Sequence, residues 1–425
     1  MATRLAAHTP EGERAAVIAE RIAPFLAERA ARYDREATFP TENLDDARDS
    51  GLLGACVPKE LGGLGVELMR DLTVVVNRLA HGDAGTAIAL HMQLAREWYF
   101  ARRLRESRSA QEREHLAATL RSMADGSLIA CGATSEAGAD HDHVRTEATP
   151  VPGGYRINGK KIFVTLSAAA TDFYLRLRVP DPSGGYQMAS AHVPRDTPGL
   201  TVVAEWDALG MRTSGSNDVV LEDVFVPTAA VSPRGPWGVR QPSAMIGRTV
   251  SNLALQGAYL GCAEAARDLA VRHASRALGR DAAAPGTVHA VGEMEVKLAT
   301  ARSVLDCALT ATDEALTGRA TADVPHDQGL ELMVAFQAAK THVTRVAQEI
   351  VHDAMTLVGG AAYLSAHPLA RISRDVRAGT FMQPHAPLEA LDLIGRTAVA
   401  EFSAPDVAAN GHTVAAPREA QTALR

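Results

Sequence analysis

The spacing of apolar residues changes twice along the chain, and this change constrains the fold more than any other feature. From residue 11 to about residue 125, apolar side chains recur every three to four positions, as in amphipathic helices. After Gly126, short alternating runs bounded by Gly, Pro, Asn and Asp indicate an antiparallel sheet, and from about Ile246 the helical spacing returns. The sequence therefore predicts an α+β, mostly α chain with four parts: an N-terminal helical domain (1–125), a middle antiparallel β-domain (126–235), a C-terminal four-helix bundle (236–402) and a flexible tail (403–425).

Individual elements follow from the same spacing. The segments 67–79 and 84–104 are apolar on almost every side at their centres, as helices buried between neighbours are. Two apolar stripes, over 294–308 and 332–357, predict long antiparallel helices. Asn158-Gly159 between two strand-like runs predicts a hairpin turn, because both turn positions require positive φ. Further strands are expected over 172–179, 186–193, 200–205 and 218–226.

Composition excludes several classes of function. A net charge of −7 and a pI near 6.1, with scattered Lys and Arg, argue against a nucleic-acid partner. No apolar run approaches the roughly 20 residues that cross a bilayer, and no signal peptide is visible, so we expect a cytoplasmic protein with no membrane partner. The four cysteines form no CxxC pair. His141-Asp142-His143 has no further ligand nearby in the sequence, so we expect no metal site.

Four short motifs occur in a fixed order along the β-domain and the last helices. The first is Ala-Thr-Ser-Glu-Ala-Gly over 133–138, and the second is Phe-Val-Thr over 163–165. The third, over 209–227, contains Leu-Gly-Met-Arg-Thr-Ser-Gly-Ser followed by Val-Val-Leu-Glu-Asp-Val-Phe-Val-Pro, and the fourth is Gly359-Gly360 followed by Arg374-Asp375. In this order and at these spacings, the motifs resemble the acyl-CoA dehydrogenase superfamily over roughly residues 15 to 400.

The resemblance implies a flavin between the β-domain and the C-terminal bundle. Phe163 would form a wall against the flavin ring, Thr165 would meet its N5 atom, and Thr134 and Ser135 would meet its pyrimidine edge. Protein groups of this kind orient a flavin while the cofactor performs the redox chemistry. The residues alone also fit a simpler interpretation, in which Phe163 and Thr165 are an ordinary pair on a strand.

The resemblance also implies association through the bundle, as a homotetramer or homodimer. Arg276 and Gly359-Gly360 would then hold the ADP half of FAD from a neighbouring subunit. Arg276 lies one residue out of register with the family's arginine, and Thr356 replaces the family's glutamine before Gly-Gly. The resemblance implies FAD as the cofactor, and these two departures, which weaken the grip on its ADP half, leave FMN as the alternative flavin.

The catalytic base of the family is missing. An acyl-CoA dehydrogenase removes the α-proton of a thioester with a glutamate while the flavin accepts a hydride, so a carboxylate must face the flavin. The family's usual glutamate position holds Gln383, and the alternative position on an earlier helix holds Ser251. Neither side chain is a useful base near neutral pH. Glu389, six residues past Gln383, is the carboxylate closest along the sequence.

Three functions remain open. The first is monooxygenation of a small molecule with O2 and reduced flavin from a separate reductase, in which His91 or His385 would donate or accept a proton near the reacting oxygen. The second is dehydrogenation of an acyl thioester, on CoA or a carrier protein, with Glu389 as an atypical base. The third is a base-less structural partner of an active homologous subunit. The missing base favours the first function.

Overall fold

The computed structural model describes residues 4–239, 242–280 and 284–403, so the tail predicted to be flexible lies outside the described residues except for Ser403. The chain begins with helices, as predicted. The N-terminal α-helices are α1 Pro10–Glu36, α2 Thr41–Asp49, α3 Met69–Ala80, α4 Ala84–Glu106 and α5 Ala110–Ala124. Helix α1 begins where its sequence predicts, because Pro10 fits the first turn and Thr9 Oγ1 accepts the Gly12 N–H at 3.0 Å.

Helix α3 joins the two helical parts of the molecule. All of its residues are buried, which explains why its sequence is apolar on almost every side. Its backbone lies directly against helix α7 (Gln256–Leu278): a Cβ on Gly257 would come within 2.3 Å of Thr73 O, and one on Gly261 within 2.6 Å of Asn77 O. Glycine at these two positions therefore permits the close packing of α3 on α7.

The middle of the chain forms one sheet. Its strands are β1 Ala130–Ala133, β2 Glu147–Val151, β3 Gly154–Val164, β4 Asp172–Pro180, β5 Tyr186–Pro194, β6 Leu200–Val203, β7 Asn217–Pro227 and β8 Val231–Pro236. The order is β6-β7-β3-β2-β4-β5-β8, with β1 paired to β4. The pairing is antiparallel as predicted, except that β1 and β2 each pair with β4 in parallel.

The predicted hairpin turn at Asn158-Gly159 is wrong. Strand β3 continues through both residues, and the chain reverses before it, at Pro152-Gly153, where Gly153 has φ 83°. The register of β3 against β7 shifts between Ile157 and Gly159, which marks a bulge. A Cβ on Gly159 would lie 2.4 Å from Thr146 Oγ1, so this glycine permits close approach of a neighbouring segment and not a turn.

The last part of the chain is helical again. Its α-helices are α6 Pro242–Asn252, α7, α8 Thr287–Leu316, α9 His326–Val358, α10 Pro368–Asp375, α11 Ala378–Phe381 and α12 Pro387–Ser403. Helices α8 and α9 contain the two predicted apolar stripes and pack against each other, and α9 also packs against α6, α7 and α12. None of the described helices is long and apolar enough to span a membrane.

A buried polar cluster locks the β-domain to both helical parts. Asp83, at the start of α4, accepts hydrogen bonds from Thr213 Oγ1 at 2.6 Å and from Arg371 Nη1 at 3.0 Å. Asp375 of α10 accepts the Met211 N–H at 2.6 Å. The segment from Met211 to Ser216 is thereby fixed from two sides, and it forms one edge of the site described next.

Candidate active site

The end of strand β3 presents an aromatic ring at the surface of the chain. Phe163 is 62% exposed, although its neighbour Val164 is fully buried. Its φ of 53° lies in the left-handed region, which is costly for a bulky side chain and concentrates at functional sites. Its ring stands perpendicular to that of Trp206, with the centroids 6.0 Å apart. An exposed flat ring held in a strained backbone is a suitable wall for a planar cofactor.

A row of hydroxyl groups follows the aromatic ring. Thr165 is almost fully buried, and its Oγ1 lies 2.9 Å from Ser216 Oγ, which lies 2.6 Å from Ser214 Oγ. The Leu166 N–H donates to Ser214 O at 3.1 Å, so the Phe-Val-Thr and Thr-Ser-Gly-Ser motifs are neighbours in space. Hydroxyl groups both donate and accept, so this row can adapt to either polarity of a ring atom such as flavin N5.

Gln383 contacts the β-domain through Ser135. Its Nε2 atom donates to Ser135 Oγ at 2.5 Å, and Ser135 O accepts the Ile162 N–H at 3.0 Å, next to Phe163. Gln383 also interacts with His141, whose pKa falls to about 4 because of burial and the nearby Arg176. Two predicted site residues, Ser135 and Gln383, therefore meet in the structure.

The loop that carries Gln383 is fixed by a buried lysine. Lys340 of α9 is 3% exposed, and its ammonium group donates to the carbonyl oxygens of Met382 and His385, the latter at 2.6 Å. Burial lowers the Lys340 pKa to about 8. The ammonium group stays charged near neutral pH because two carbonyl oxygens solvate it in place of water and the Glu389 carboxylate favours the charged form.

A buried ion pair fixes the loop that carries Ser135. Lys161 is fully buried on β3, and its Nζ lies 2.5 Å from Glu136 Oε1. Glu136 also accepts the backbone N–H groups of Arg145 at 2.6 Å and Thr146 at 3.0 Å. Burial by itself raises the Glu136 pKa, but the Lys161 ammonium and these donors lower it overall, so the pair is charged at neutral pH.

The two histidines predicted to assist the chemistry lie in different surroundings. His91 is completely buried on α4, and neither ring nitrogen has a hydrogen-bond partner among the described residues. Burial lowers its pKa to about 3, so the ring is neutral at pH 7, with one donor and one acceptor nitrogen. His385 lies in the Gln383 loop, with Nδ1 4.0 Å from Glu389 Oε2. Their catalytic roles stay predictions.

The two remaining candidates for a base stand apart from Ser135. Glu389 lies in the first turn of α12, its side chain is 66% exposed, and it accepts the Ala386 N–H at 2.9 Å, as a helix-capping carboxylate does. Ser251 is exposed on α6, where its Oγ donates to Arg248 O at 3.3 Å. The structure gives neither residue a contact with the Ser135–Gln383 pair.

The residues that the resemblance assigns to the ADP half of FAD are exposed on helix ends. Arg276 lies near the end of α7. Gly359 and Gly360 follow the end of α9, where Gly359 has φ 77° and a Cβ on either glycine would meet nothing within 4 Å. Thr134 precedes Ser135 and is partly buried. The single chain does not bring Arg276 or the glycine pair to Phe163, so their role stays a prediction that requires a second copy.

Three site residues were missed by the sequence analysis. Lys161 and Lys340 are buried charges whose partners are remote in sequence or supplied by backbone atoms. The burial of Lys161 could have been predicted from its position on the same strand as the buried Ile157. The burial of Lys340 could have been predicted from the apolar stripe that surrounds it on α9. His141 was considered only as a metal ligand, and within the described ranges no group of three or more His, Cys, Asp or Glu is placed to hold a metal ion.

Together these residues form a site that can hold a flat polar ring, and the carboxylate next to Ser135, that of Glu136, is held in its ion pair with Lys161. The wall is Phe163, the polar contacts come from Thr165 and Ser135, and the neutral amide of Gln383 faces Ser135. An amide donates and accepts hydrogen bonds but does not take up a proton near neutral pH. The arrangement therefore suits orientation and water exclusion more than α-proton abstraction.

Comparison with known proteins agrees with this geometry. The sequence matches the three domains described as acyl-CoA dehydrogenase N-terminal, middle and C-terminal domains, over residues 13–126, 131–224 and 243–383. It is 39% identical over 400 residues to the amino sugar nitrososynthase DnmZ of Streptomyces peucetius, covering 92% of this chain and 94% of that protein. It is 37% identical over 400 residues to the L-evernosamine nitrososynthase of a Micromonospora species, covering 92% and 91%.

A solved structure shows the same relationship. The structure of KijD3 in complex with FMN and dTDP-3-amino-2,3,6-trideoxy-4-keto-3-methyl-D-glucose has a TM-score of 0.83 and 38% sequence identity, covering 93% of this chain and 95% of KijD3. The three domain matches, the similarity over more than nine-tenths of the chain and the residues around Phe163 all point to the same family. The chain belongs to the acyl-CoA dehydrogenase family and is a flavin-dependent oxidoreductase.

Proposed function

We propose that this enzyme oxidises the amino group of a sugar carried on a nucleoside diphosphate, with reduced FMN and O2 as co-substrates. In the first round, the amine, O2 and reduced flavin give the hydroxylamine, water and oxidised flavin. In the second, the hydroxylamine, O2 and another reduced flavin give the nitroso sugar, two waters and oxidised flavin. Atoms and electrons balance in each round, because the reduced flavin supplies two electrons and two hydrogens.

The observation that carries this proposal is the amide of Gln383. Oxidation of an amine nitrogen requires no carboxylate to remove a proton from carbon, whereas thioester dehydrogenation does. The hydrogen bond from Gln383 Nε2 to Ser135 Oγ supports a neutral group at the position predicted for the base. Of the carboxylates close to Gln383 and Ser135 along the chain, Glu389 caps helix α12 and Glu136 is paired with the buried Lys161. The nitrososynthase relatives supply the substrate class, an amino sugar.

The described residues fit a bound flavin. The flavin supplies the two-electron activation of O2, while the chain binds and orients it. Phe163, which is exposed, would cover one face of the ring, and the Thr165 and Ser135 hydroxyl groups would hydrogen-bond its polar atoms.

FMN suits this chain better than FAD. Thr356 stands where the family has a glutamine, and Arg276 is out of register with the family's arginine, so the contacts to the ADP half of FAD are reduced. FMN carries no ADP half and needs neither contact. FMN is also the flavin found with KijD3.

His91 is assigned the proton-handling role. Its two ring nitrogens are buried without a partner among the described residues, which is costly unless a ligand group completes the hydrogen bonds. A neutral imidazole can donate from one nitrogen to a reacting oxygen and accept at the other. His385 is the alternative, because it shares the loop of Gln383.

Two partners complete the proposal. A separate flavin reductase supplies reduced FMN, and we expect both proteins in the cytoplasm. The second partner is another copy of this chain: Tyr363 is 86% exposed, Leu364 64% and Leu388 81%, close along the chain to Gly359-Gly360 and to α12. Exposed apolar side chains in such number are typical of an interface, so we expect a homodimer or homotetramer.

A reconstituted reaction tests the proposal. The purified protein would be incubated with a dTDP-linked amino sugar, FMN, a flavin reductase with its reductant, and air, and the sugar would be followed by mass spectrometry. We expect successive appearance of the hydroxylamine and the nitroso sugar. The Arg113→Gln variant, altered at an exposed position on α5, is a matched control and should react as the wild type does.

Two outcomes would contradict the proposal. Reduction of bound flavin by an acyl thioester without O2 would establish a dehydrogenase. Recovery of flavin binding or activity only after addition of a homologous subunit would establish a structural partner. Neither outcome depends on which sugar is chosen.

A further inference from the structure

Four arginines converge on one face of the β-sheet beside the active site. They are Arg96 of α4, Arg176 of β4, Arg234 of β8 and Arg248 of α6, and we refer to them as the arginine face. Side chains alternate between the two faces of a strand, so Arg176 lies opposite its buried apolar neighbours Leu175 and Leu177. Arg176 pairs in register with Ser190, whose Oγ accepts a hydrogen bond from Arg234 Nε at 3.0 Å.

The arginine face has too few anions to balance its charge. Within residues 4–239, 242–280 and 284–403, Arg248 forms an ion pair with Asp142, whereas Arg176, Arg96 and Arg234 form none; the Asp142 carboxylate also acts on Arg176 and raises its pKa. Arg176 instead directs Nη1 to His141 O at 3.4 Å, and the Arg96 guanidinium lies 4.7 Å from the Tyr174 ring centroid. Burial, together with the nearby Arg248, Arg234 and Arg96, lowers the Arg176 pKa to about 10.

Arg248 provides a second observation that points to an anionic ligand. It is 7% exposed and forms an ion pair with Asp142, yet its Nε atom is buried with no hydrogen-bond partner among the described residues. A buried guanidinium N–H without an acceptor costs free energy, as does the mutual repulsion of neighbouring cations. A multivalent anion with several oxygen acceptors removes both costs, and guanidinium groups bind phosphate oxygens in a bidentate way.

The arginine face is continuous with the flavin site. Arg176 contacts His141, His141 interacts with Gln383, and Gln383 hydrogen-bonds Ser135. A substrate with an amino sugar at the Gln383 end and a diphosphate next to the sugar would therefore place its phosphates near Arg176 and Arg248. We propose that the arginine face binds the diphosphate of a nucleotide-linked substrate; this rests on the proposed function for the identity of the sugar.

Phosphate groups come from two sources in this enzyme, the substrate and FMN, and the first test separates them with the unmodified protein. Binding of thymidine, dTMP and dTDP to the FMN-loaded protein would be measured by calorimetry. We expect affinity to rise with each phosphate and to fall steeply with added salt. Equal affinity for thymidine and dTDP would overturn the proposal.

The second test uses variants. Arg176→Gln and Arg248→Gln should each weaken dTDP binding about 10- to 100-fold, the usual effect of losing a charged hydrogen-bond donor, while FMN affinity stays unchanged. Arg113→Gln is the control and should bind both ligands normally. Unchanged dTDP affinity would overturn the proposal, and so would an equal loss of FMN affinity, which would assign the arginines to the flavin phosphate.

These results are independent of the redox reaction. Binding of dTDP requires no O2 and no reductase, so a protein that binds dTDP through the arginines but oxidises no amino sugar would contradict the proposed function and not this inference. Conversely, oxidation of a free amino sugar with no dTDP binding would overturn this inference and leave N-oxidation in place. If a variant fails to fold by circular dichroism, the ligand series on the unmodified protein still decides the question.

Discussion

Replacement of Lys340 by methionine should release the loop that carries Gln383 with little loss of overall stability. The ammonium group donates to the carbonyl oxygens of Met382 and His385, and two charged hydrogen bonds contribute about 1.5–3 kcal/mol each. Against this, burial lowers the pKa from 10.5 to about 8, which corresponds to a cost of about 3 kcal/mol for the charged form. The free energy of unfolding should therefore fall by about 3 kcal/mol or less.

Activity should respond more strongly than stability. With the loop unfixed, Gln383 loses its constrained approach to Ser135, and small misplacements of reacting groups reduce rates about 10- to 100-fold. Lys340→Met should lower kcat/KM for amino sugar oxidation by this factor, measured by O2 consumption coupled to product formation. Lys297→Met is the matched control, because Lys297 is a partly exposed lysine on α8 paired with Asp353 at 2.7 Å.

The pH dependence gives an independent check. The folded-state pKa of Lys340, about 8, lies below the unfolded value of 10.5, so the folded state releases its proton first as pH rises. The stability of the wild type relative to Lys340→Met should therefore increase between pH 8 and pH 10.5 and be constant below this window. A constant difference across the window, or unchanged kcat/KM in the variant, would refute this reasoning.

Three further predictions concern neighbouring residues. Phe163→Ala should weaken FMN binding about 3- to 10-fold, whereas Phe163→Trp should preserve it, as measured by flavin fluorescence titration. Equal FMN affinities of the wild type and Phe163→Ala would show that the Phe163 ring does not contact the flavin. Gln383→Glu should still bind flavin, and a colourless variant would show that the loop lies elsewhere. Lys161→Met should lower the free energy of unfolding, measured by urea denaturation, by about 3–5 kcal/mol because Glu136 stays buried without its partner. The control Lys160→Met, which removes an exposed ion pair, should lower the free energy of unfolding by about 1 kcal/mol or less.

The order of helices and strands was readable from the sequence because periodicity reports burial directly. Helix α3 was predicted as a helix buried between neighbours, and all of its residues are buried. The error at Asn158-Gly159 has a local cause. An Asn-Gly pair has the same sequence whether it forms a turn or lets a neighbouring segment approach the glycine closely. Here the neighbouring segment contains Thr146, and its contact with Gly159 cannot be read from the local sequence.

The site was predictable only in part. Phe163, Thr165, Ser135 and Gln383 were found from motifs, because their spacing along the chain is short and ordered. Lys340 and the arginine face were not found, because their function depends on partners that only the tertiary structure supplies. Arg176, for example, alternates with buried leucines on β4, so its sequence context alone predicts an ordinary solvent-facing side chain.

The most direct test of the central claim is the origin of the oxygen atom in the product. The reconstituted reaction would be run once under isotopically labelled O2 and once in labelled water, with the dTDP-linked amino sugar analysed by mass spectrometry immediately after mixing. We expect the hydroxylamine oxygen to come from O2 and no product to form without O2. Product oxygen derived from water, or flavin reduction by an acyl thioester under nitrogen, would contradict it.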